Sequence, residues 1–205
     1  MTQMGEWAAM EHLGKNPAHR AGRCSVYQNH LFDRRTFIYG IVGAACVSAT
    51  ATLMPNVSRA QMDKVKESMA ALKTKTAKFG MPRIEGIDPV AGKDVPALYF
   101  GATKMNNFFD VVDELVKEHG GTATLFVKAG EQYVRVATNV KKDDGSRAIG
   151  TILDPSGPVI AKIKKGEAYY GEATILGQPY VTGYDPIRDG SGEVIGIYYV
   201  GYVIS

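Results

Sequence analysis

Cysteine and histidine are scarce in this chain, and their placement excludes much chemistry. Both cysteines, Cys24 and Cys46, fall within the first sixty residues. Downstream there is neither thiol nor disulfide, so that part must be held by its hydrophobic core, which about 145 residues can supply. Of the four histidines, His12, His19 and His30 lie in the same opening segment. His119 stands alone, too few for a Cys/His metal site or for a Ser-His-Asp or Cys-His arrangement. No GxSxG and no Walker sequence is present. "DPIRDGSGEVIG" resembles a calcium loop from Asp185, but Ile187 occupies a ligand position and Gly196 falls where the bidentate glutamate belongs. "GSGEVIG" has one residue too many for the dinucleotide fingerprint and joins two strands instead of opening a helix. Catalysis by carboxylates alone stays open, yet nothing in the sequence pairs them. No catalytic residue, metal ligand or cofactor is therefore assigned. An excess of one charge is also missing. Residues 1–60 carry six basic and three acidic side chains, which leaves 18 of each in the remainder. A neutral body offers no phosphate-neutralising footprint, so nucleic acid is not expected as a partner.

The opening segment has the layout of an export signal. In "FDRRTFIYGIVGAACVSATATLMPNVSRAQ", Arg34 and Arg35 are followed by an apolar stretch and then by Pro55. Ser58 and Ala60 place small residues where a signal peptidase reads, which puts cleavage between Ala60 and Gln61. The arginine pair with Thr36, Phe37 and Ile38 resembles a twin-arginine signal, departing from it at Asp33 and Tyr39. Three fates fit this segment: cleaved export, an uncleaved anchor, since the apolar stretch approaches the ~20 residues that span a bilayer, and a lipoprotein ending at Cys46. All three place residues 61–205 outside the cytoplasm, periplasmic or tethered to the outer face of the inner membrane. Residues 1–60 are read as leader and 61–205 as one domain.

Within that domain, "QMDKVKESMAALKTKTAKFG" sets Met62, Val65, Met69, Leu72 and Phe79 at helical spacing. "RIEGIDPVAGKDVPALYFG" is broken by glycine and proline and reads as an extended connector. Thr103 is expected to cap a second helix carrying Met105, Phe108, Phe109, Val112, Leu115 and Val116, which ends at His119-Gly120. From Thr122 the period changes to two. "TATLFVK", "EQYVRVAT", "YYGEATIL", "QPYVTGYDPI" and "EVIGIYYVGYVI" are five strands, interrupted by one short helix at Pro158. Helices followed by an antiparallel sheet is the α+β pattern.

Four blocks carry a family resemblance: "VPALYFG", "GGTATLFVKAGEQYVRVATNVKKDDGSRAIGT", "YYGEATILGQPYVTGYDPI" and "GEVIGIYYVGY". In this order they are similar to single Cache sensor domains of the Cache-3/Cache-2 fusion type. The resemblance implies a PAS-like antiparallel sheet of about five strands with a long N-terminal helix. It also implies an extracytoplasmic module that binds a small molecule, in relatives often an organic acid, and acts in signal transduction or chemotaxis. The sequence ends in the last strand with no output module, so the expected reader is a separate membrane receptor, kinase or transporter. A homodimer through the N-terminal helix is a further expectation.

Alternation then nominates ligand-binding residues. In "EQYVRVAT" it sets Val134 and Val136 towards the helix, with Tyr133, Arg135 and Ala137 on the opposite, pocket face. The planar fork of Arg135 suits a carboxylate. Tyr180, Thr182 and Tyr184 form a hydroxylated aromatic wall, Tyr169 or Tyr170 closes it, and Arg147 reaches back from the turn. The plainer reading pairs Arg135 with Glu172 across strands and treats the tyrosines as ordinary sheet residues. Two further readings stay open: a ligand-free interaction module, and a carboxylate-dependent hydrolase.

Overall fold

The computed structural model describes residues 57–204. Arg34, Arg35 and Cys46, and with them the export signal, lie outside the described residues. The first element is α1 (Arg59–Ala77), opened by a capping box. The Gln61 backbone N–H donates to Ser58 Oγ at 3.2 Å, and the Ser58 N–H donates to Gln61 Oε1 at 3.0 Å. Two otherwise orphaned donors are thereby satisfied. The bond expected to be cut, between Ala60 and Gln61, lies inside this first turn. Val65, Met69, Leu72 and Thr76 recur at three- and four-residue steps and are fully buried. Phe79 departs from the expected stripe. It lies beyond the C-cap Lys78, partly exposed, and meets Phe108 edge to face at 6.0 Å.

The expected connector is instead a small sheet. β1 (Pro82–Val90) and β2 (Lys93–Phe100) pair antiparallel around Ala91-Gly92, and β3 (Thr103–Lys104) extends the sheet in the order β1-β2-β3. Ala91 and Gly92 take φ values of 50° and 76°, the left-handed pair that a tight hairpin needs. Pro96 is accommodated because the register slips between Ile84 and Ile87, next to Gly86 at φ 71°. Thr103 accordingly belongs to a strand and caps nothing. α2 begins later, as Asp110–His119, with no side-chain cap. Asp110 and Asp113 sit at its positive end and His119 at its negative end.

The five expected strands are all present: β4 (Thr122–Ala129), β5 (Gln132–Thr138), β6 (Tyr169–Ile175), β7 (Gln178–Arg188) and β8 (Val194–Val203). They form an antiparallel sheet in the order β5-β4-β8-β7-β6. One face packs under α1, α2 and the small sheet. The other meets α3 (Pro158–Ile163), whose Val159, Ile160 and Ile163 join Phe126, Tyr184, Ile197 and Tyr199. α1 is tied to β8 by Tyr202. Its hydroxyl donates to the His119 carbonyl at 3.0 Å and lies 2.7 Å from Ser68 Oγ. No helix among the described residues is long and apolar enough to cross a membrane.

Ala137 is not on the face expected of it. The β4–β5 register slips so that Leu125 opposes Ala137 while Phe126 opposes Arg135. Val136 is the extra residue of a bulge, and Ala137 turns with Val134 and Val136 into the core beneath the helices. Arg135 and Tyr133 keep the opposite face.

Candidate functional site

Arg135 is placed by both of its neighbours. Its strand pairs with β4 on one side. On the other, the segment after the charged turn doubles back along β5. The Arg135 N–H donates to Thr151 O, Gly150 N–H to Arg135 O, and Leu153 N–H to Tyr133 O, at 2.9–3.0 Å. The turn itself, within "TNVKKDDGSRAIGT", is closed by Asp144 accepting from the Ser146 N–H at 2.8 Å. This return segment covers the edge of the sheet and brings Ile152, Leu153 and Asp154 opposite the β6–β7 hairpin.

Between them lies a cavity of about 550 Å³. Arg135 and Tyr184 line it from the sheet, with Leu153, Val159 and Ile175 among its apolar walls. Arg135 is only 5 % exposed. One terminal nitrogen donates to Thr151 Oγ1, and the guanidinium lies 5.1 Å from the Phe126 ring centroid. Its Nε is buried with no hydrogen-bond partner. It makes no ion pair with an acid among the described residues, Glu172 included. Burial therefore lowers its pKa, with no carboxylate to oppose the shift. Tyr184 packs on Tyr199 at 4.9 Å and on Tyr169 at 6.2 Å. Burial raises its hydroxyl pKa strongly, with the Arg135 charge opposing, so the group remains a hydrogen-bond donor throughout neutral pH.

The other expected residues have different partners. Tyr133 faces a separate depression beside Lys128 and Lys164. Thr182 is fully buried and donates to Gly171 O at 2.8 Å. Tyr180 lies on the same face but is not part of the cavity wall. The Tyr169 hydroxyl donates to Glu172 O at 2.7 Å and sits close over Gly171. Arg147 does not reach the cavity. It clamps Asp113 of α2 through both terminal nitrogens at 2.7 Å, donates to Thr138 O, and lies 4.5 Å from the Phe109 ring centroid. Of the seven nominated side chains, the cavity thus gathers Arg135 and Tyr184.

Sequence reasoning missed Asp154, Gly157, Glu172 as a cavity residue, and the apolar wall. "DPSGP" signals a turn, but nothing local says what the turn faces. Asp154 Oδ1 accepts from the Ser156 N–H at 2.9 Å and from its hydroxyl at 2.7 Å, which lowers the carboxyl pKa. Among the described residues no cluster of three or more His, Cys, Asp or Glu is placed to hold a metal.

Comparison with curated proteins gives no match. Among solved structures, a chain described as "Methyl-accepting Chemotaxis protein X" aligns with a TM-score of 0.40 at 16% identity, over 69% of this chain and 56% of its own. The present chain thus spans little more than half of that structure's length. The family model described as "Cache 3/Cache 2 fusion domain" matches residues 45–205, a span that takes in both sheets and the cavity. With the helix-covered antiparallel sheet in place, the chain belongs to the Cache family of extracellular sensor domains, in its Cache 3/Cache 2 fusion branch.

Proposed function

We propose that this domain, exported across the inner membrane, senses a small carboxylate held by Arg135 and reports it through a separate receptor, kinase or transporter. The observation that carries the reading is the unbalanced guanidinium. A buried arginine with no counter-charge and an unpartnered Nε is costly to keep unless an anion completes it. The cavity beside it has the volume of a small-molecule site, with polar groups and the apolar side chains of Leu153, Val159 and Ile175 both in its lining. Tyr184 supplies a second donor alongside.

The two rival readings fit less well. A ligand-free interaction module would fill this space with its own side chains, yet about 550 Å³ stays open. A hydrolase relying on Asp154 and Glu172 needs one carboxyl raised to act as an acid. Asp154 is shifted the opposite way by Ser156.

The test is a thermal-shift panel of carboxylates, amino acids and amines on the full chain. A carboxylate at one hundred times its Kd should stabilise by about 2.7 kcal/mol, raising Tm by roughly 5–10 °C. Arg135→Gln should abolish the response with the circular dichroism spectrum unchanged. An unaltered response in that variant, or no response to any carboxylate, refutes the proposal.

A further inference from the structure

The β6–β7 hairpin brings more than side chains to the cavity. An unbroken run of it, Glu172 to Leu176, lines the space. Side chains of a strand alternate between faces, so such a run reaches a cavity in part through its backbone. The register says which backbone groups. The two-residue turn Leu176-Gly177, with φ values of 48° and 83°, closes on the pair Ile175–Gln178. That pair exchanges backbone hydrogen bonds, and by alternation so do Ala173–Tyr180 and Gly171–Thr182. Glu172 and Thr174 fall between them, and their N–H and C=O groups point away from β7. Pro179, opposite Thr174, agrees: it has no N–H, and its carbonyl accepts from the Ile204 N–H at 3.0 Å on the far side. β6 is the last strand of the sheet. The Glu172 carbonyl is taken by the Tyr169 hydroxyl. The Glu172 N–H and both Thr174 backbone groups have no partner among the described residues. The side chains of Glu172 and Thr174 leave on the helix side, as does that of Val181 opposite Glu172.

The cavity is also long. Tyr184 and Pro179 both line it from β7, a separation of about 17 Å along a strand. Arg135 is at the Tyr184 end, where its charge bears on the tyrosine hydroxyl. We propose that the carboxylate gripped by Arg135 is the C-terminus of a short extended peptide, which adds to the free edge of β6 as a further strand. This rests on the carboxylate reading of the same site and names the class of ligand. A small organic acid fills the Arg135 end alone and leaves the edge groups unmet. An added strand answers the Glu172 N–H and the Thr174 N–H and C=O with its own peptide groups. It also sets alternate side chains against Leu153, Val159 and Ile175.

Calorimetric titrations of the full chain with Leu-Ala-Leu, its C-terminal amide and isocaproate test this. Isocaproate keeps the last side chain and the carboxylate but has no peptide group. Leu-Ala-Leu should bind about tenfold tighter than isocaproate and roughly tenfold tighter than its own amide. Thr174→Pro removes one outward N–H and no bond to β7. It should bring Leu-Ala-Leu down to isocaproate, whose own affinity stays. Thr174→Ala keeps the N–H and should bind as the wild type does. N-methylation of the peptide's amides repeats the test on the unaltered protein, with the same loss expected. If isocaproate matches Leu-Ala-Leu, or N-methylation costs nothing, the peptide inference is overturned while the anion site stands. A dimer that Thr174→Pro dissociates would assign the edge to a second copy and overturn it too. If the amide equals the free peptide, if binding survives Arg135→Gln, or if nothing binds, the underlying carboxylate reading falls with it.

Discussion

Replacing Arg135 by methionine should make the unliganded domain more stable while removing its response to anions. In the wild type the guanidinium is 5 % exposed, faces no carboxylate, and leaves Nε unpartnered. That single orphaned donor costs about 1–3 kcal/mol, and the uncompensated charge adds several more. Opposing this are one charge-assisted hydrogen bond to Thr151, about 1.5–3 kcal/mol, and a cation–π contact with Phe126, roughly 0.5–2 kcal/mol. Methionine keeps much of the volume and lies against the same apolar walls. The difference should be a net gain of about 1–2 kcal/mol, or roughly 2–8 °C in Tm for a domain of this size. Differential scanning calorimetry without ligand measures it, and the same samples with carboxylate should show no further rise. A loss of about 2 kcal/mol or more in the unliganded variant would refute the reasoning. Arg135 would then be a structural residue whose contacts repay its burial, and the case for a bound anion would lose its main support.

Three further predictions concern the scaffold. Burial pushes the Tyr198 hydroxyl up to about 12 from an ordinary 10.0. Below pH 10 folded and unfolded states both keep the proton. Between about 10 and 12 only the folded state keeps it, so stability falls as pH rises, by up to about 3 kcal/mol. Tyr198→Phe should make that stretch of a urea-unfolding pH series shallower by its own share, with Tyr184 and Tyr199 keeping the rest of the slope. Arg147→Lys replaces a two-pronged clamp on Asp113 by a single contact. It should cost about 1 kcal/mol of stability without changing ligand affinity, because Arg147 is remote from the cavity wall. Gly201→Ala would set a methyl group 2.1 Å from the Tyr199 hydroxyl, so a loss of about 2–4 kcal/mol is expected. Tyr199→Phe in that background should restore part of it in urea titrations.

The large sheet was readable because β4 to β8 are rich in Val, Ile, Thr, Tyr and Phe, and the β4–β5, β6–β7 and β7–β8 connections carry glycine turns. The small sheet was hidden. Pro89, Pro96 and Gly86 argue against strands residue by residue, and only the register slip between Ile84 and Ile87 reconciles Pro96 with pairing. The early start expected for α2 has a similar origin. Met105 and Phe108 mimic helical spacing, but Met105 is buried beside β3 and Asn107 turns at φ 60°. Alternation identified the face of Arg135 correctly and that of Ala137 wrongly, since a one-residue bulge inverts everything beyond it. Arg147 shows a different blindness. A basic residue beside a turn looks the same whether it meets solvent, a ligand, or an aspartate 34 positions away. The cavity was legible only on its sheet side. Its opposite wall is an irregular segment whose position depends on hydrogen bonds to β5, which no local pattern records.

The capping box at the start of α1 also sets an order of events for any peptidase that reads Ala60. Ser58 and Gln61 hold each other across the bond to be cut, and that bond lies in a hydrogen-bonded turn. Proteases bind extended backbone, so the first turn must fray before cutting. Cutting removes the cap, at a cost of about 1 kcal/mol of helix stability. If a peptidase cuts there, processing and folding would compete for the same four residues. A chain exported already folded would present this site closed, opening it only as often as the helix end frays.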